Sequence, residues 1–162
     1  MIAAISHLFS NELDFITYPH LAELPHFNVD LDTPEPPAQV AELRTQLKSA
    51  DGVLICTPEY AMGIPGSLKN LLDWTVSSSD FSHKPVAAIT ASTSGEKAHE
   101  SLLGTLRIME ARVDENTALL ISHAKTKVND KAEITDKNTL SEVTRVMQAL
   151  TQHLNLKVEA AE

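Results

Sequence analysis

Two segments of the sequence carry residue types that suit ligand binding. Residues 57–67 contain Glu59, Tyr60, two prolines and two glycines, and residues 90–96 are rich in serine and threonine. Each segment would present backbone N–H groups and then the N-terminus of a helix, a combination that suits a flat polar ring or an anion. The side chain of Tyr60 would add an aromatic wall. Glycine and proline after an apolar run also form ordinary turns, so a purely structural role is the alternative for each segment.

The remaining reactive side chains do not form a recognisable catalytic or metal-binding pattern. The seven histidines have no metal-ligand spacing, so we expect no metal site and no catalytic side chain. We expect His99 to be a solvated helix residue, with a position at the mouth of a pocket as the alternative. Cys56 ends an apolar run and would pack in the core. Glu59 would orient its own turn or pair across a subunit contact.

The elements that position the two segments follow from the apolar pattern. Residues 53–56, 85–89 and 118–121 are apolar without alternation, which predicts strands covered by helices on both faces. Residues 13–18 predict a further short strand. Five stripes at helical spacing predict five helices. Their apolar residues are Ile2, Ile5, Leu8 and Phe9; Val40, Leu43 and Leu47; Leu68, Leu71, Leu72 and Val76; Ala98, Leu102, Leu106 and Met109; and Leu140, Val143, Met147, Leu150 and Leu154.

The order of these elements predicts the fold class. Strands that alternate with helices indicate a parallel sheet with right-handed crossovers, hence an α/β sandwich. We expect residues 1–162 to form one domain. Thr93 and Glu96 have the spacing of a capping box at the start of the fourth helix. Both ligand-binding segments follow predicted strands, so they would meet at the carboxyl edge of the sheet, where such folds bind ligands.

Composition narrows the classes of partner. The net charge is -9 and no cluster of Lys or Arg interrupts the acidity, so we expect neither a nucleic acid nor a membrane as partner. A single cysteine excludes an internal disulfide framework and fits a reducing compartment. The first residues show no signal-peptide pattern, and no apolar run approaches about 18 residues. These features predict a cytoplasmic protein.

A series of short motifs resembles the NADPH-dependent FMN reductases of the flavodoxin-like fold. The motifs are Ala50-Asp51-Gly52, Thr57-Pro58-Glu59-Tyr60, Ile64-Pro65-Gly66, Leu68-Lys69-Asn70, Asp73-Trp74 and Lys84-Pro85-Val86, with Leu24-Pro25, Asn28 and Asp30 before them and Glu100-Ser101-Leu102 and Leu106-Arg107 after them. They fall in the family's order at matching separations over nearly all of the chain. The resemblance implies a three-layer sandwich with a parallel sheet.

The resemblance also implies an activity and a cofactor site. FMN would receive a hydride from NADPH and reduce a small acceptor, such as a quinone, an azo compound, a flavin or a metal oxyanion, in a homodimer or homotetramer. Family members place the residues that correspond to Pro58, Glu59, Tyr60 and Ala61 against the isoalloxazine ring. Ser92, Thr93, Ser94 and Gly95 would approach its other side. Asparagine is common where this chain has Ala61, and relatives often have two adjacent glycines where this chain has only Gly95.

One part of the family pattern is missing from the sequence. Family members begin with a strand and a Gly-Ser-x-Arg-x-x-Ser-x-Asn loop around the FMN phosphate, whereas this sequence starts within the predicted first helix. We expect a shortened form of a reductase, with a rearranged descendant or a strand donated by a partner chain as alternatives. The rival function is a flavodoxin-like interaction or regulatory protein that has lost FMN binding.

Overall fold

A parallel three-stranded sheet organises the chain, which a computed structural model describes over residues 1–159, with side chains for residues 1–156. The strands are β1 (Val53–Thr57), β2 (Val86–Ala91) and β3 (Ala118–Ile121). The helices are α1 (Ile2–Leu8), α2 (Ala38–Ser49), α3 (Gly66–Trp74), α4 (Glu96–Ile108) and α5 (Lys137–Glu159). Short 3₁₀ turns lie at Leu21–Glu23, Val29–Leu31 and Ala124–Thr126.

The strand register brings the ends of all three strands to one edge. The order in the sheet is β1-β2-β3, and both neighbouring pairs are parallel. Thr57, the last residue of β1, pairs with Thr90, and Ala91, the last residue of β2, pairs with Ile121. The loops that leave the strands therefore start side by side at the carboxyl edge, as the sequence predicts.

Helices cover both faces of the sheet and form the predicted three-layer sandwich. The α2–α4 layer packs on one face through the buried side chains of Val40, Leu43, Leu47, Leu68, Leu71, Leu72, Trp74, Leu102 and Leu106. The α1/α5 layer packs on the other face through Ile5, Phe9, Val143, Val146, Met147 and Leu150. Most residues of the predicted apolar stripes lie on these buried faces, because each face removes apolar surface from water. Ile2 and Leu8 of the α1 stripe are exceptions, with 44% and 45% of their surfaces exposed.

Only the central strand is buried as completely as the sequence predicts. All of β2 except Ala91 is buried, whereas β1 and β3 keep partly exposed positions, among them Leu54, Cys56 and Leu120. The reason is position, since β1 and β3 are the edges of the sheet in the described part of the chain. An unalternating apolar run thus indicates contact with both layers, but it does not distinguish a central strand from an edge strand.

Two further predictions about this part of the fold are wrong. Residues 13–18 form no strand, because their backbone has no neighbouring strand to bond within residues 1–159. Leu13 and Phe15 pack against the α1/α5 layer, and Tyr18 packs against the α2–α4 layer. Val76 is 56% exposed instead of inward, because α3 ends at Trp74.

The side chains of Trp74 and Asn70 fasten the long loop before α2 to α3. The indole of Trp74 is fully buried, donates to the Pro25 carbonyl at 2.7 Å, and meets the Phe27 ring edge-on. Asn70 donates to the same carbonyl at 3.0 Å and accepts from the Phe27 N–H at 2.7 Å. The sequence leaves two roles open for Trp74, packing at a subunit interface or covering the adjacent loop. In the structure it covers the loop, and its full burial leaves it unavailable for a subunit interface.

A buried ion pair fastens the end of the same loop. Arg44 donates to Asp32 at 2.7 Å and to the Trp74 carbonyl at 2.6 Å, with both charged side chains about nine-tenths buried. Hydrogen bonding from the Arg44 guanidinium holds the pKa of Asp32 below its ordinary value. None of the helices in the described part of the chain is both long enough and apolar enough to span a membrane.

Candidate functional site

The loops that follow β1 and β2 are joined through Glu59. Its backbone N–H donates to the hydroxyl of Ser92 at 3.2 Å. Its carboxylate accepts from the N–H of Ala98 at 2.9 Å and from the hydroxyl of Ser94 at 3.4 Å. The structure therefore brings the two predicted ligand-binding segments into direct contact. Of the two roles predicted for Glu59, the orienting one matches these contacts, and the orientation extends to the second loop.

The start of α4 differs from the predicted capping box. The N-cap residue is Gly95, which has no side chain to cap the helix, and Thr93 makes no capping bond. The backbone of Gly95 has a φ of 103°, and a Cβ there would lie 2.8 Å from the Leu120 side chain. The carboxylate of Glu59 satisfies the Ala98 N–H instead, so the cap of α4 comes from another loop. Only glycine fits this turn without strain or displacement of its neighbours.

The first loop contains a tight hairpin turn in a strained conformation. Tyr60 and Gly63 exchange backbone hydrogen bonds of 2.9 and 3.0 Å across the turn. Ala61 and Met62, between them, have φ values of 49° and 62°. Positive φ at both central positions is the pattern of a type I′ turn, which normally selects Asn-Gly. The turn presents Tyr60 and Met62 to solvent, with 66% and 72% of their surfaces exposed.

The second loop is held by a third loop, which follows β3 and which the sequence analysis did not identify. The N–H groups of His123 and Ala124 donate to the carbonyls of Thr93 and Ser92 at 3.1 and 3.0 Å. Sequence position could have indicated this third loop, because every loop after a parallel strand begins at the same edge. Within the described part of the chain, no group accepts a hydrogen bond from the N–H of Thr93, Ser94 or Gly95. These donors remain for a ligand.

The polar groups of the two loops suit a neutral ring better than an anion. Neither residues 57–67 nor residues 90–96 contain a Lys or Arg side chain. The positive end of the α4 dipole is already compensated by the Glu59 carboxylate. An exposed aromatic side chain and unpaired backbone donors fit the flat polar edge of an isoalloxazine ring. A phosphate would require residues outside these two loops.

Two other reactive side chains lie beside the site. His99 is half-buried, not solvated as predicted, and its Nδ1 lies 3.0 Å from the hydroxyl of the buried Thr90. Burial lowers the pKa of His99 below 6.5. The ring also lines a cavity of about 300 Å³ beside α4 and β3. Burial raises the pKa of the Cys56 thiol to about 11, which agrees with the predicted packing role.

Comparisons with known proteins match the chain to one family. The family model for NADPH-dependent FMN reductases matches residues 3–126. A quinone reductase of Escherichia coli (strain K12) is 32% identical over 143 residues, which cover 84% of this chain and 76% of that protein. An NADPH azoreductase of Bacillus sp. (strain OY1-2) is 42% identical over 91 residues, which cover 52% of this chain and 50% of that protein.

A solved structure shares the fold. FerB of Paracoccus denitrificans, described as a flavoenzyme NAD(P)H:(acceptor) oxidoreductase, superposes with a TM-score of 0.73. The match covers 95% of this chain and 87% of FerB, at 22% sequence identity. This likeness supports the flavodoxin-like arrangement of the sheet and its helices.

Proposed function

Because the chain belongs to the NADPH-dependent FMN reductase family, we propose that it oxidises NADPH and reduces a small acceptor such as a quinone. NADPH would give up a hydride and leave as NADP⁺. A quinone acceptor would gain two electrons and two protons, one proton arriving with the hydride and the other from solvent. Bound FMN supplies the hydride chemistry in this family, so the protein itself has to bind and orient the reacting molecules.

The joined pair of loops is the observation that carries this proposal. The exposed side chain of Tyr60 would cover one side of the isoalloxazine ring, and Pro58, Glu59 and Ala61 would present backbone groups to it. The unpaired N–H groups of residues 93–95 would bond polar atoms on the ring edge. Ser92 would act indirectly, since its hydroxyl accepts from the Glu59 N–H. No acid or base is required of any of these side chains.

A flavin titration tests the proposal directly. Purified protein is titrated with FMN and with riboflavin, and binding is followed by quenching of flavin fluorescence. Because both loops suit the ring and neither carries a cation, we expect both flavins to bind. Tyr60→Ala should weaken binding about tenfold through loss of an aromatic contact worth about 1–1.5 kcal/mol. Met62→Ala, which shortens the neighbouring exposed side chain, is the matched control and should bind as the wild type does.

The flavin titration, together with an assay of NADPH oxidation, distinguishes the enzyme from the rival function, an interaction or regulatory protein that has lost FMN binding. The rival is favoured by Ala61, where asparagine is common in the family, and by Gly95 as the single glycine of the second loop. The enzyme with saturating FMN should consume NADPH faster when benzoquinone is added. Protein that quenches neither flavin, and whose addition leaves NADPH unchanged, would contradict the proposed enzyme and favour the non-catalytic rival.

We also propose the assembly that the family resemblance implies, a homodimer or a homotetramer. Light scattering on the eluate of a gel-filtration column gives the mass directly. A monomeric mass over the concentration range used for the flavin titration would contradict this assembly and leave the proposed activity standing.

A further inference from the structure

The Glu59 carboxylate reaches across the sheet edge to a helix that starts from a different strand. Its acceptor bonds to Ala98 and Ser94, and the donor bond of its backbone to Ser92, all connect the β1 loop to the β2 loop. We infer that Glu59 is a positioning residue: by capping α4 from the neighbouring loop, it sets the spacing of the ring-binding loops and keeps phosphate from the α4 N-terminus. The inference rests on the proposed function.

A local cap would be the simpler solution, and the sequence offers candidates for one. Thr93 and Ser94 are of types that cap helices, and both lie just before α4. Neither caps it, because Gly95 occupies the N-cap position. Because Glu59 supplies the cap, the position of the α4 N-terminus depends on the loop that follows β1. The carboxylate thereby adds to the backbone bond to Ser92 a second connection between the two loops, and this one fixes the end of α4.

The charge of Glu59 has a second consequence for ligand orientation. A helix N-terminus with unpaired N–H groups attracts anions, phosphate included. Here a carboxylate already occupies the Ala98 N–H and compensates the helix dipole. A phosphate approaching the same place would meet a negative charge and would have to displace it. The ring of a flavin, which carries no such charge, is the part of the ligand that this end of the site accepts.

Three variants separate positioning from a general effect on folding. Glu59→Ala removes the cap, and Glu59→Gln keeps an acceptor oxygen without the charge. Glu100→Ala is the matched control, because it removes an exposed carboxylate one turn further along the same helix and outside both loops. Amide exchange of Ala98, measured without flavin, reports the cap directly. Titration with riboflavin and FMN reports the spacing of the loops. Added inorganic phosphate, with acetate as a second anion, reports whether the α4 N-terminus has become open.

The expected results form a distinct pattern. Glu59→Ala should lose Ala98 protection and bind both flavins about tenfold or more weakly, because its loops are no longer joined through the carboxylate. Phosphate or acetate should restore Ala98 protection in Glu59→Ala and have no such effect on the wild type. Glu59→Gln should keep Ala98 protection and bind riboflavin within about threefold of the wild type, since its amide oxygen still accepts. Glu100→Ala should match the wild type throughout.

Several outcomes would overturn the inference. Flavin affinity of Glu59→Ala equal to that of the wild type would remove the positioning role. Unchanged exchange of Ala98 would show that Glu59 does not cap α4 in solution. Phosphate that alters Ala98 exchange in the wild type would show that the helix end is open. If the wild type binds no flavin, the proposed function fails, and the exchange and anion results still decide whether Glu59 joins the loops and closes the helix end.

Discussion

At the scale of single residues, the hairpin turn after β1 stores conformational strain. Ala61 has a φ of 49°, where a Cβ atom is disfavoured by about 1–2 kcal/mol. Ala61 and Met62 are exposed, and a Cβ on Gly63 would have no neighbour within 4 Å. Strain of this kind concentrates in functional loops. A redox ring bound against Tyr60 would be a reason to keep it.

Ala61→Gly should therefore stabilise the protein. Relief of the left-handed strain outweighs the extra entropy of glycine in the unfolded chain, which leaves a gain of about 0.5–1 kcal/mol in the free energy of unfolding. The same change at Ala41, which is exposed in α2 and has no positive φ, should cost about 1 kcal/mol. Urea denaturation of both variants measures the two effects. Loss of stability in both variants would show that the turn is relaxed in solution.

His99 should make stability depend on pH. Its pKa in the folded protein lies below 6.5, the ordinary value, because burial disfavours the imidazolium. The unfolded chain then binds more protons as the pH falls through about 6.5 towards the folded pKa, so the free energy of unfolding should decrease over that window. His99→Gln should flatten this part of the curve, and His26→Gln, in an exposed loop, should leave it unchanged. Denaturation midpoints at several pH values between about 5 and 7.5 cover the window.

The hydrogen-bond partners of single residues could not be predicted from the sequence. The sequence predicts that Glu59 orients its own turn or pairs across a subunit contact, but its partner is the backbone N–H of Ala98, 39 residues away. A backbone N–H is present at almost every residue, so residue type cannot indicate which of them becomes a partner. The same holds for His99, whose contact with Thr90 depends on how α4 packs on β2. Such pairs become visible only after the elements have been placed.

At the scale of elements, apolar periodicity predicts the buried faces of the helices, but it does not predict which segments pair as strands. The helical stripes predicted the buried faces of α2, α4 and α5, because periodicity records a layer that has to be covered. Residues 13–18 have the composition of a strand but form none, because a strand also needs a neighbour with free backbone groups. The Thr93–Glu96 spacing failed for a related reason. A capping box is local, and α4 obtains its cap from elsewhere.

Two glycines at or within α4 should respond oppositely to the same substitution. Gly104 is exposed in the middle of the helix with nothing near a prospective Cβ, so Gly104→Ala should stabilise by about 0.5–1 kcal/mol. Gly95→Ala should cost about 2–4 kcal/mol, from its left-handed backbone and the Leu120 side chain at 2.8 Å. Thermal and urea unfolding measure both changes. Destabilisation by Gly104→Ala would mean that this face of α4 is covered in solution.

At the scale of the whole molecule, β2 connects the two helical layers. Val86 and Ala88 belong to the core of the α2–α4 layer, whereas Ala87 and Ile89 belong to that of the α1/α5 layer. Successive residues of one strand are therefore buried against opposite layers. Neither layer can detach without exposing half of β2 to water. We therefore expect the two layers to unfold together in one step.

A core substitution in one layer should therefore lower the unfolding midpoint of both layers equally. Met147 is buried in the α1/α5 layer, and Met147→Ala should cost about 2–5 kcal/mol. Trp74, the only tryptophan, is buried in the α2–α4 layer, so its fluorescence reports the opposite side of the sheet. Tryptophan fluorescence and far-ultraviolet circular dichroism should show the same lowered urea midpoint.

The control for this prediction is Met147→Leu, which nearly conserves volume and should cost less than about 1.5 kcal/mol. Separate midpoints for the two signals in Met147→Ala would mean that the layers unfold independently, since a single cooperative unit gives coincident transitions.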